Sequence, residues 1–203
     1  MRTLVMTVTL AVSLMLTGHA AADAQAYVFK GNSDEPVIFF TRIHDRVADV
    51  DDHQELSVFA DGRVIVHTPV YMKKAGTFEY RLSTKEMQSL VAQLDANGLM
   101  STDWEAARLE RDTRAAQRNA STSDRFHVSD LTATHINMNF EQFGKSGSKG
   151  KKLSANIVWN DIPVDAERFR NLAAVQQLAK VEKVLLQLTD HSRRNVVRIA
   201  GGQ

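Results

Sequence analysis

The strictest periodicity in the chain runs over residues 133–141, where apolar and polar positions alternate one for one. Thr134, Ile136, Met138 and Phe140 share one parity, and His135, Asn137, Asn139 and Glu141 share the other. A period of two puts successive side chains on opposite faces, so this segment predicts a strand with one buried and one wet face. Residues 144–150, Gly-Lys-Ser-Gly-Ser-Lys-Gly, read as a flexible loop, and 153–159 as the returning strand. Upstream, 37–43 is a β-branched and aromatic run after a polar lead-in over 27–36, and 77–82 is another. Between them, 56–60 and 63–67 are joined by Asp61-Gly62. A two-residue Asp-Gly link predicts a type I′ hairpin pairing Phe59 with Val64 and Val58 with Ile65. Both faces of that hairpin then carry apolar residues, which predicts a central position covered on both sides.

Helical spacing begins at Ser83-Thr84-Lys85-Glu86, a capping box, with Leu82 and Met87 placed for a hydrophobic staple. Met87, Leu90, Val91 and Leu94 recur at three and four residues, and Asn97-Gly98 supplies a left-handed stop. Residues 103–119 predict a charged, mostly solvated second helix, and 120–124 a linker. Pro163 and Asp165 open a C-terminal helical region carrying Leu172, Val175, Leu178, Val181, Leu185 and Leu188. Residues 192–203 read as a frayed basic tail. Hairpin connections require antiparallel pairing, and amphipathic helices need an apolar face to cover. The prediction is therefore an α+β fold, with an antiparallel sheet of about five to seven strands and two or three helices on one face. It forms one domain over 27–203, with loosely similar halves at 37–98 and 102–190; two subdomains are the alternative.

The first segment is of another kind. Met1-Arg2-Thr3 precedes an apolar run from Leu4 to Leu16 and then small residues ending in Ala24-Gln25-Ala26. One basic residue, a short apolar core and an A-x-A site predict a secretory signal peptide over 1–26, with Ala22-Asp23-Ala24 as the alternative cleavage site. The core falls short of the about 20 residues a membrane span needs. No second segment of spanning length follows, so the expected location is the bacterial periplasm or the outside.

Twenty-five Lys and Arg stand against 24 Asp and Glu. That near-balance argues against nucleic-acid binding through bulk charge. The chain has no cysteine, which excludes disulfides, thiolate metal sites and a cysteine nucleophile.

Candidate chemistry sits in two places. His44, Asp51, Asp52 and His53 belong to the densest run of metal-ligand types, and imidazoles with carboxylates suit a divalent cation. The run fits neither an EF-hand nor H-E-x-x-H, and a solvated acidic loop is the plain alternative. The polar stripe of His135, Asn137 and Asn139, with Ser154 and Asn156 on the returning strand, is a candidate ligand face. Ser148 to Lys151 spells S-x-x-K in a loop rather than on a helix, and Gly144-Lys145-Ser146 lacks the first P-loop glycine. Lys145, Lys149, Lys151 and Lys152 read as a solubilising hairpin tip.

The segment from Val58 to His67, then Tyr71-Met72-Lys73-Lys74-Ala75-Gly76 and Leu82-Ser83, resembles a group of exported bacterial proteins of unknown function. So does Val128-Ser129-Asp130 with Thr134 and Ile136. The resemblance covers about half the chain after the leader, rests on turn and strand chemistry, and implies no activity. The sequence reading is an exported, non-enzymatic binding or interaction module with an unidentified protein or small-molecule partner and no resident cofactor. A metal-dependent hydrolase built on the segment from His44 to His53 is the first alternative. An envelope-surface protein using its basic loop and tail against anionic lipids is the second.

Overall fold

Eight strands and four helices make up the computed structural model, which describes residues 27–44, 53–121, 132–190 and 194–199. The signal-peptide segment, Asp51, Asp52 and Val128-Ser129-Asp130 lie outside the described residues. In chain order the elements are β1 (Tyr27–Lys30), β2 (Ile38–His44), β3 (Gln54–Val58), β4 (Arg63–Thr68), β5 (Gly76–Arg81), α1 (Thr84–Ala96), α2 (Trp104–Ser121), β6 (Thr132–Lys145), β7 (Lys151–Asn160), α3 (Ile162–Arg168), α4 (Ala173–Thr189) and β8 (Val197–Ile199). The class is the expected one, α+β on an antiparallel sheet, with one strand and one helix more than the upper expectation.

All pairings are antiparallel. Across the sheet the order is β7, β6, then β1 and β2 end to end along one edge of β6, then β3, β4, β5 and β8. β6 is the longest strand and pairs on both sides, with a bulge between Phe140 and Phe143: Ile136 lies opposite Phe40 and opposite Ile157. Its buried parity continues through Phe40, Leu56 and Val66 in one row and Ile38, Val58, Val64 and Tyr80 in the next. The helices cover this face. Met87, Leu90, Val91 and Leu94 of α1 and Val175, Leu178, Val181, Leu185 and Leu188 of α4 join the same apolar cluster.

The capping box forms as read. The Glu86 N–H donates to Ser83 Oγ at 3.3 Å, and the Ser83 N–H donates to Glu86 Oε2 at 2.8 Å. At the other end Gly98, at φ 77°, lets its own N–H reach Asp95 O and the Leu99 N–H reach Leu94 O, which is a Schellman stop. α2 is charged as expected, but it anchors Trp104 and Ala107 in the core.

The Asp61-Gly62 hairpin is corrected by one residue. Val58 lies opposite Val64 and Ser57 opposite Ile65, not Phe59 opposite Val64. Only Gly62 has positive φ (86°), while Phe59 N–H donates to Arg63 O and Gly62 N–H to Phe59 O. This is a three-residue link, a turn followed by a left-handed glycine bulge. The shift gathers Val58 and Val64 on the helix-covered face and sends Ser57 and Ile65 to the other, so the hairpin is covered on one side rather than two.

Two further readings change. The polar lead-in contains β1, clasped to α1 because Tyr27 N–H donates to Gln88 Oε1 and Gln88 Nε2 donates back to Tyr27 O. The basic tail contains β8, which extends the sheet beyond β5. Among the described residues no helix is long and apolar enough to cross a membrane.

Candidate ligand-binding face

The strand alternation that buries Ile136 and Phe40 turns their neighbours to the side that none of the described helices covers. Register then fixes which of them meet. Asn137 lies opposite Asn156 and, on its other side, opposite Phe39; Asn139 lies opposite Ser154. His135 lies between Val158 and Thr41, and that row continues through Glu55, His67 and Thr77. The candidate ligand face of His135, Asn137, Asn139 and Asn156 is thus one contiguous patch on two paired strands, bordered by the half-buried Phe39 ring.

Asn137, Asn139, Ser154 and Asn156 are exposed and His135 is half-buried. Asn139 Nδ2 donates to Glu35 Oε2 at 3.3 Å, which ties the patch to the loop before β2. Among the described residues the side chains of His135, Asn137, Ser154 and Asn156 have no protein hydrogen-bond partner. Each primary amide carries two donors and an acceptor, so the paired Asn137 and Asn156 offer a dense array of both. Beside His135, the Thr41 hydroxyl is buried and has no partner among the described residues. A buried polar atom left unpaired costs free energy that a bound group or water can recover. At the far end of the row, His67 Nδ1 lies 3.0 Å from Thr77 Oγ1.

The other sequence candidates fall elsewhere. His44 lies on the helix-covered parity, opposite Thr132, and its Nδ1 is 2.9 Å from Thr132 Oγ1. His53 stands just before β3. Among the described residues no group of three or more His, Asp or Glu side chains is arranged to hold a metal ion.

Two buried carboxylates are not among the sequence's site candidates: Glu182, and Asp165, which the sequence marks only as a helix opener. Glu182 of α4 accepts from Thr134 Oγ1 at 3.0 Å and lies 3.6 Å from Arg42 Nε. Burial raises its pKa above the ordinary carboxylate range, and Arg42 opposes the rise. Asp165 accepts from the buried Trp159 indole at 2.8 Å, with Arg111 Nε at 3.4 Å, and burial raises its pKa too, against the Trp159 bond and Arg111. The available signal was Thr134, a polar residue on the buried parity of β6 that needs a polar partner from above.

Glu182 also reaches a broad groove of about 840 Å³ between the start of α1 and α4, with Glu86, Lys183, Asp190 and Arg194 around it. Three of its charges, Glu86, Arg194 and Glu182, are already engaged. Arg194 bonds Glu86 at 3.2 Å and lies 4.7 Å over the Tyr80 ring, while Glu182 is held from beneath by Thr134. The smaller free patch on the open face is therefore better disposed to take up a ligand than the larger groove. Compared with protein-family models, curated proteins and solved structures, the chain matches none of them.

Proposed function

We infer that the protein is an exported binding module, and that its ligand sits on the open face of the sheet over His135, Asn137, Asn139 and Asn156. The observation that supports this most is the cross-strand pairing of Asn137 with Asn156, two exposed amides without protein partners on a rigid two-strand platform. Amides held on paired strands lose little freedom on binding, which favours affinity through preorganisation. The patch offers amide and imidazole hydrogen bonding beside one aromatic ring and the Glu35 carboxylate, which suits a polar ligand rich in hydrogen-bonding groups. Export rests on the sequence of residues 1–26.

Native mass spectrometry of the protein purified from its own host tests the reading. The expected result is a mass above that of the polypeptide, lost in the Asn137→Leu/Asn156→Leu double variant while folded mass and charge states are unchanged. A bare polypeptide mass, or an adduct retained by the double variant, contradicts it.

A further inference from the structure

β7 is a ten-residue strand that pairs only with β6 among the described residues. The direction of its free backbone groups follows from two bonds. Asn139 N–H donates to Val37 O, so odd-numbered β6 residues turn their backbone toward β2; Asp161 N–H donates to Thr132 O, so even-numbered ones turn toward β7. With Ile136 opposite Ile157, the β7 residues facing β6 are Leu153, Ala155, Ile157 and Trp159. Ser154, Asn156, Val158 and Asn160 direct their N–H and C=O groups outward. Nothing from the described residues meets these groups.

Protected edges in natural sheets carry prolines, bulges or charges along their length. β7 carries charge only at its start, Lys151 and Lys152, and from Leu153 to Asn160 it has none. Val158 is 41% exposed on it. Beside residues 156–159 lies a cleft of about 260 Å³ walled by Trp104, Glu105 and Arg108 from the first turns of α2. Among the described residues the edge is thus open in the plane of the sheet and flanked by a helix on one side, the arrangement in which an extended peptide adds as a further strand.

We propose that β7 is a strand-addition site for an extended segment of a partner protein, apolar in its first half and acidic toward its end. The orientation follows from charge. An added antiparallel strand starts opposite Asn160 and finishes opposite Lys151, so its last residues lie beside the exposed Lys151 and Lys152, with exposed Lys149 in the adjoining turn. The segment's residue opposite Ile157 points to the helix side, into the cleft walled by Trp104, Glu105 and Arg108. Its residues opposite Val158 and Asn156 point to the open face.

The probe is an acetylated peptide of alternating valine and threonine ending in two glutamates, compared with the same peptide ending in two lysines. By titration calorimetry the acidic-ended peptide binds at least tenfold tighter, and the Lys151→Glu/Lys152→Glu variant reverses the order. Val158→Pro deletes one outward donor, spares the ladder to β6, and abolishes binding, with unfolding temperature and circular dichroism showing that the fold is kept. Should that variant not fold, the wild-type protein is titrated with the peptide N-methylated at alternate amides, once in each parity, and one parity loses binding. Equal affinity for both peptide ends, binding that survives Val158→Pro in folded protein, or binding indifferent to N-methylation overturns the proposal. So does sedimentation showing that β7 pairs instead with a second copy of the chain.

Discussion

At Gly62 two constraints coincide. Its φ of 86° lies in the left-handed region, and a Cβ there would stand 2.5 Å from Leu82 O, the carbonyl of the residue whose N–H donates back to Gly62 O at 2.8 Å. The left-handed strain alone costs about 1–2 kcal/mol for a non-glycine residue, and the backbone carbonyl in the way must also shift. Gly62→Ala should therefore lower the urea midpoint well beyond Asp61→Asn, which keeps an acceptor for the Arg63 N–H now 3.0 Å from Asp61 Oδ1. Equal midpoints would contradict the turn. Ser83→Ala removes the cap acceptor and should cost about 1 kcal/mol, read from the same denaturation experiment. Glu182 and Asp165 carry an opposite pH signature from most carboxylates. Burial raises their folded pKa, so the folded state holds protons that the unfolded chain has released. Their contribution is complete below the unfolded carboxylate range, about pH 4, and is lost as pH rises through the raised folded value. Glu182→Gln keeps an acceptor for Thr134 and no longer titrates. Its stability relative to wild type should rise between pH 4 and 7, and a constant difference over that range would show that Glu182 is not shifted.

At the scale of elements, the sequence was legible where one periodicity ran uninterrupted. β6 and β7, α1 with its box and stop, and the apolar stripe of α4 follow directly from spacing and cap chemistry. The hairpin register was misread because Asp-Gly serves both a two-residue turn and a longer link ending in a glycine bulge; the flanking apolar residues permit either. β1 and β8 are too short for a pattern, and their places are set by distant partners. Tyr27 is held by Gln88 and, through its hydroxyl at 2.8 Å, by Asp95 of α1, with that phenol's pKa pushed up to about 12 by burial and by Asp95. Gln88→Ala should release β1, read as faster amide exchange at Val28 and Gly144, which lie opposite each other, with β2 unaffected. Unchanged exchange would mean that pairing with β6 holds β1 alone. The polar face of β6 was readable from its parity, whereas the pairing of Asn137 with Asn156 needed the register. Glu182 was hidden because nothing in a helical stripe marks which polar residue turns inward.

Among the described residues of the whole molecule, the helices cover one side of the sheet and leave the other open. The covered side holds the apolar cluster and the two protonation-prone carboxylates; the open side holds amides, imidazoles and hydroxyls. The most direct test of this division uses amide NMR of protein stripped of bound small molecules by unfolding and refolding, to which the material released from natively purified protein is returned. The account predicts shifts concentrated at Thr41, His135, Asn137, Asn139 and Asn156, with the α4 groove around Lys183 and Gln187 unmoved. Shifts confined to that groove, with the open face silent, would contradict it.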